Sequence, residues 1–346
     1  MILSGIIPHF FPGGPVGDPL YFVFGVFFLW ISGRYLIEGG VSLGKNLRLS
    51  SLVVGITVVS MGTSAPELLV SIKAALLKHP DIAVGNVVGS NIANIGLVLG
   101  VTSLVIPLTV RKATLRVDGV VMILVTIGFI VMACTRKTLF WHEGVIMLMI
   151  ISVYLIWLVI KSRKQKIILP KIEKKGISLW WVALIVIVIA SYGLVLGADY
   201  VVVGASGLAK SLGINERVIS LSMVALGTSL PELTASITAV LKKEPDMSMG
   251  NIIGSNIFNL FGILGVTSLI HPIPINPKIL NFDVIYMLIL TIFLLILGSK
   301  MFGRRLSRWN GLVLVFFYLF YIFVIYFNKN PDFFHLGHFF NAICPS

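Results

Sequence analysis

The chain has 346 residues, 57% of them hydrophobic and only 12% charged. Soluble domains carry about 25% charged residues, so this composition excludes a soluble globular protein and places the chain in a membrane. A formal net charge of +13 would suit a nucleic-acid partner, but the basic residues sit in short loops between apolar runs, which excludes that class.

Apolar runs long enough to cross roughly 30 Å of hydrocarbon as helices recur along the chain. No alternating ten-residue pattern of a β-barrel is present. The first 18 residues lack a basic leader region and read as an extracellular segment with no cleavable signal. The first span, 20–40, holds Arg34 and Glu38 at i, i+4, where they neutralise each other. The second, 51–77, contains S-M-G-T-S-A-P-E at 60–67. Ser60, Thr63, Ser64, Glu67 and Ser71 fall on one helical stripe. Pro66 lacks an N–H and leaves the Gly62 carbonyl without its usual donor. Bare carbonyls at membrane depth persist only when buried in protein or lining a wet cavity.

The third span, 82–106, carries G-N-V-V-G-S-N-I-A-N at 85–94. Ser90 and Asn94 share a face, Gly85 and Gly89 form a small-xxx-small seam, and Asn86 and Asn91 read as interhelical hydrogen bonders. Spans 117–134 and 142–160 precede a basic connector, K-S-R-K-Q-K-I-I-L-P-K-I-E-K-K, at 161–175. Spans 179–206, 217–241, 247–271, 283–302 and 309–327 bring the expected number to ten. The seventh contains A-L-G-T-S-L-P-E at 225–232 and the eighth G-N-I-I-G-S-N-I-F-N at 250–259. Two cysteines, Cys134 and Cys344, make no framework of disulfides or metal ligands.

A shift of 165 residues aligns 50–107 with 215–272 without a gap, and 29 of the 58 positions are identical. Five spans per half is an odd number, so the second half enters from the opposite side. Inverted repeats of this kind build secondary transporters, with the site near the midplane. Odd-numbered loops hold 18 of the 27 basic residues, against seven in the even loops and tails. The positive-inside rule then sets odd loops in the cytoplasm and both termini outside the cell membrane. The expected fold class is an all-α integral membrane protein with ten transmembrane helices in two inverted-topology five-helix repeats. Its expected organisation is an N-terminal segment 1–18, a first repeat 19–161, a basic linker 162–178, a second repeat 179–328 and a tail 329–346.

Each motif gathers a carboxylate, hydroxyls and freed carbonyls, an all-oxygen set that selects hard cations: Na⁺, Ca²⁺, Mg²⁺ or H⁺. Oxygens at variable spacing suit the flexible shell of Ca²⁺ better than the tight octahedron of Mg²⁺. No His/Cys cluster supports zinc or copper. If both Glu67 and Glu232 face the centre, one Ca²⁺ or two Na⁺ balances their charge, and a third Na⁺ makes exchange electrogenic.

G-T-S-A-P-E at 62–67 and G-T-S-L-P-E at 227–232, each followed by G-N-x-x-G-S-N-I-x-N, resemble the two α-repeats of the cation/Ca²⁺ exchanger superfamily. The prokaryotic sodium/calcium exchanger branch is the nearest. The resemblance implies a sodium/calcium antiporter working by alternating access, spans 2, 3, 7 and 8 forming its core and the long first and sixth spans acting as gates. It implies ion ligation by Glu67, Glu232, Thr63, Thr228, Ser64, Ser229, Ser90, Ser255, Asn94 and Asn259, completed by the carbonyls of Ser60 and Ala225. Relatives often carry Asp where this chain has Asn259, so no potassium requirement is expected. The expected partners are Ca²⁺, Na⁺ and the bilayer, with a monomeric transport unit and no cofactor. Competing readings are a Ca²⁺/H⁺ antiporter with the two glutamates carrying protons, and a passive Ca²⁺ channel. An enzyme is not expected, since no nucleophile–base motif occurs.

Overall fold

The computed structural model describes residues 11, 14, 16–164, 177–213, 216–277 and 279–327. Along 216–226 and 326–327 the course of the helix alone is described. Backbone groups in hydrocarbon have no water to bond, so the apolar runs close their hydrogen bonds internally as helices. These are α1 (Gly17–Leu47), α2 (Ser51–Thr63), α3 (Ala65–Leu76), α4 (Pro80–Val105), α5 (Lys112–Arg136) and α6 (Trp141–Lys164). They continue as α7 (Trp180–Ser211), α8 (Glu216–Leu241), α9 (Pro245–Ile270), α10 (Ile279–Leu297) and α11 (Arg308–Phe327).

Eight described helices are long and apolar enough to cross a membrane, and the pair α2–α3, bent by 47°, makes a ninth. α8 carries the second motif over 26 residues. α1 and α7, at 31 and 32 residues, exceed the expected spans 20–40 and 179–206. At 1.5 Å per residue each is roughly 46–48 Å long, well beyond the hydrocarbon thickness.

The repeated K-x-P-D sequence is a helix-to-helix turn. Lys78 and Lys243 adopt left-handed backbone, with φ of 60° and 63°, ending α3 and α8. Pro80 and Pro245 then open α4 and α9 at a position where a missing N–H costs nothing, with Asp81 and Asp246 in the positive first turn.

The chain divides into two compact units that interleave in sequence: Met1–Pro66 with Ile156–Gly254, and Glu67–Leu155 with Ser255–Ser346. In the first unit α1 packs along α7. A Cβ at Gly25 would lie 2.5 Å from the Val201 nitrogen, and one at Gly197 2.8 Å from that of Leu29, so any larger residue forces the backbones apart. Arg34 donates to Glu38 at 3.1 Å as expected, and Lys242 at the end of α8 donates to the same carboxylate oxygen. The start of α9 lies backbone to backbone on α2. A Cβ at Gly250 would stand 2.4 Å from the Leu52 carbonyl, and one at Gly254 2.5 Å from that of Ile56. The expected small-residue seam thus exists in the second copy, whereas Gly85 and Gly89 meet no described atom within 4 Å.

In the second unit two antiparallel ladders of two residues join loops. β1 (Leu108–Thr109) pairs with β4 (Arg305–Leu306), and β2 (Thr138–Leu139) with β3 (Ile273–Pro274). Two carboxylates related by the 165-residue shift are held alike. Asp118 accepts from the Tyr154 hydroxyl at 2.9 Å and Asp283 from that of Tyr321 at 3.0 Å. Each aspartate sits in a π-helical turn, Leu115–Gly119 or Ile279–Val284. Cys134, from which no disulfide was expected, is disulfide-bonded, and the chain's other cysteine, Cys344, lies outside the described residues.

Candidate functional site

The first motif sits where its helix fails. A π-helical turn, Gly55–Val59, precedes Ser60–Thr63, and Ser64 leaves helical geometry at φ −82° and ψ 12° before Ala65 starts α3. Pro66 is compatible with this break, since it lacks the N–H that would bond Gly62 and sits in the first turn of α3, where that group has no intrahelical acceptor. Ser64, turned out of the helix at the break, donates its hydroxyl to Glu232 Oε1 at 2.9 Å within the first unit. Both side chains are buried, Glu232 with 0% exposure.

Around that contact the first unit builds a hydrogen-bonded frame. Thr63 Oγ1 donates to the Ser60 carbonyl at 3.2 Å and lies 3.1 Å from Asn251 Oδ1. The Asn251 amide donates to Ser236 Oγ at 3.0 Å and to the Glu232 carbonyl at 3.4 Å. The Ser60 hydroxyl caps the Ile56 carbonyl at 2.6 Å. Thr228 and Ser229 are buried on α8, and Ser229 Oγ has no hydrogen-bond partner among the described residues. Ala225 lies on the same helix, and its side chain lies outside what is described.

The second unit repeats the frame around Glu67, also 0% exposed, in the first turn of α3. The Asn86 amide donates to the Glu67 carbonyl and to Ser71 Oγ, both at 3.1 Å. Asn86, Glu67 and Ser71 map by the 165-residue shift onto Asn251, Glu232 and Ser236, so one asparagine braces each acidic helix turn in each repeat. Asn91 serves as interhelical glue, donating to the Asn256 carbonyl at 3.1 Å.

Asn94 and Asn259 behave differently. Each is fully buried, and neither its amide nitrogen nor its oxygen has a hydrogen-bond partner among the described residues. Asn94 opens a π-helical turn, Asn94–Leu99, and Asn259 lies in another, Phe258–Ile263. Such turns recur at functional sites. Ser90 and Ser255 are buried one turn earlier, Ser255 Oγ likewise without a described partner. More than nine in ten buried polar groups are bonded, so fully buried amides with no partner among the described residues, in both copies, set these two asparagines apart.

Of the residues expected from sequence, the first unit brings Ser60, Thr63, Ser64 and Glu232 into one network. The second buries Glu67, Ser90, Asn94, Ser255 and Asn259. Sequence reasoning did not assign the Asn86–Ser71 and Asn251–Ser236 braces, although all four side chains are identical across the duplication and that identity was their signal. Among the described residues no group of three or more His, Cys, Asp and Glu could hold a metal ion. What the motifs offer is a few carboxylates among many neutral oxygens.

Long apolar helices, a duplicated motif and buried oxygen donors define a multi-pass, all-helical membrane protein whose polar chemistry lies inside its helices. The chain belongs to a family described as sodium/calcium exchanger protein, whose sequence profile matches residues 18–160 and again 182–327. It is 31% identical over 345 residues to the sodium/calcium exchanger MaX1 of Methanosarcina acetivorans, covering 89% of this chain and 98% of that one. It is 34% identical over 291 residues to the inner membrane protein YrbG of Escherichia coli, covering 80% and 86%. Its fold matches the sodium-calcium exchanger NCX_Mj soaked with 2.5 mM Na⁺ and 0.1 mM Ca²⁺, at a TM-score of 0.76 and 30% identity, over 92% of this chain and 100% of that one.

Proposed function

We propose that the protein is a sodium/calcium antiporter in which Na⁺ entry drives Ca²⁺ out of the cell by alternating access. The observation that carries this reading is the complete burial of Glu67 and Glu232 in two copies of one oxygen-rich motif, in a chain of the sodium/calcium exchanger family. Buried carboxylates at membrane depth cost several kcal/mol unless a partner offsets them. We assign ion ligation to Glu67 and Glu232, the hydroxyls of Thr63, Thr228, Ser64, Ser229, Ser90 and Ser255, the amides of Asn94 and Asn259, and the carbonyls of Ser60 and Ala225. Two carboxylates balance one Ca²⁺ or two Na⁺, which is the charge basis for exchanging one ion for the other. Asn259 adds no third charge, and we expect no potassium requirement. MaX1 and NCX_Mj, both named for sodium and calcium, support the choice of ions.

The same reading comprises ten transmembrane helices in two inverted five-helix repeats, 19–161 and 179–328, joined by the basic linker 162–178. It places the odd loops in the cytoplasm and both termini outside, and it makes a monomer the transport unit. The test is ⁴⁵Ca²⁺ uptake into proteoliposomes loaded with Na⁺, with K⁺-loaded and acid-loaded controls and with Glu67→Gln and Glu232→Gln in parallel. Uptake should follow the Na⁺ gradient alone and fall to the protein-free background in both variants. Uptake driven by the acid load would replace this reading with Ca²⁺/H⁺ exchange, and flux indifferent to both loads with a channel.

A further inference from the structure

Loops far apart in sequence are brought together in the second unit by the β1–β4 ladder. Leu108 pairs with Leu306 and Thr109 with Arg305, and the Val110 nitrogen donates to the Arg304 carbonyl at 2.8 Å. The residues so joined are strongly basic: Arg111, Lys112 and Arg116 on one side, Arg304, Arg305 and Arg308 on the other. Neither 104–117 nor 298–312 contains an acidic residue. All but the half-buried Arg304 are exposed. Arg308 is held in place by donating Nε to the Leu104 carbonyl at 3.1 Å. Beside them Trp309 and Met301 stand 76% and 75% exposed, an apolar flank suited to the headgroup level of a bilayer.

The duplication supplies an internal comparison. β1 maps onto β3 by the 165-residue shift, so β2–β3 is the counterpart ladder. Its flanks hold Arg136 and Lys137 in company with an acid: Arg136 lies 3.1 Å from His142, and His142 3.0 Å from Glu143. A ladder of this construction therefore does not need six basic residues around it. The positive-inside rule counts basic residues loop by loop and does not require two loops to converge. A one-sign cluster beside an exposed tryptophan complements a phosphate at the membrane surface, where guanidinium forks bind its oxygens in pairs.

We infer that the β1–β4 face binds the headgroup of an anionic phospholipid in the leaflet at the odd-numbered loops. The inference is independent of which ions the protein carries. The test uses detergent-purified full-length protein and native mass spectrometry to count retained phosphatidylglycerol against phosphatidylcholine, with three charges removed together (Lys112→Gln, Arg116→Gln, Arg305→Gln). Removing Arg136 and Lys137 in the same way gives the control, and detergent makes membrane orientation irrelevant. The native protein should prefer phosphatidylglycerol, the triple variant should lose that preference on the order of tenfold, and the control should keep it. The preference should also fade as salt is raised, a reading that needs no variant and stands if the triple variant does not fold. No preference in the native protein, a preference indifferent to salt, equal loss in the control, or displacement by inorganic phosphate at matched ionic strength would each overturn the assignment.

Discussion

Asn251 and Asn259, eight residues apart in the second repeat, put one side-chain chemistry to two uses. Asn251 bonds Thr63, Ser236 and the Glu232 carbonyl, so its amide is fully engaged in holding the acidic turn. Asn259 is equally buried and its amide has no described partner. Replacing both by leucine, of similar shape, separates the two roles. Asn251→Leu strands several buried polar groups and should cost about 1–3 kcal/mol, seen as a lower ion-free melting temperature. Asn259→Leu removes atoms that have no partner among the described residues, so its ion-free melting temperature should hold or rise, while the stabilisation by added Ca²⁺ disappears. A Ca²⁺-induced rise that survives in Asn259→Leu would remove that residue from the ligand set. At this scale the spacing in the sequence separated the stripe positions Ser90 and Asn94 from the glue positions Asn86 and Asn91. Spacing did not show that Ser71 and Ser236 complete the brace, because the partners lie 15 residues away on the next helix, and only their identity across the duplication marked them.

The two copies of G-T-S-x-P-E have nearly the same local sequence and fold into different elements. The first breaks, and α3 starts at Ala65, which puts Pro66 in a first turn whose N–H groups have no intrahelical acceptor. The second runs through, with Pro231 inside α8. An interior proline forfeits one hydrogen bond and crowds the turn before it, at roughly 3 kcal/mol. Pro231→Ala should therefore raise the melting temperature clearly and Pro66→Ala hardly at all; equal effects would mean that α8 already relieves its proline by bending. No window of local sequence could foresee this difference, since tertiary contacts override local preference where the motif is the same. The long helices were legible from unbroken apolar runs. The two-residue ladders were not, because so short a pairing leaves no period to read. The Arg34–Glu38 pair follows from i, i+4 spacing, whereas Lys242, 204 residues from Glu38, could be found only in space.

For the whole molecule, the pairing of loops bears on topology without using charge at all. If each of the ten expected spans crosses once, loops three and nine share one face of the membrane and loops four and eight the other. Both ladders obey that parity: β1 with β4 joins loop three to loop nine, and β2 with β3 joins loop four to loop eight. The repeat operation carries β1 onto β3 and thus exchanges the faces, as an inverted repeat must. The proposed orientation assigns the faces from the excess of Lys and Arg in the odd loops. Single cysteines test both steps in a Cys134→Ala, Cys344→Ala background. A membrane-impermeant maleimide added to intact cells should label Lys137→Cys, beside β2, and should reach Arg305→Cys, in β4, only after permeabilisation. The opposite pattern would keep the parity and reverse the orientation, placing the basic face outside against the insertion rule. Labelling of both from the same side would break the parity itself, and with it the inversion on which alternating access between two equivalent halves depends.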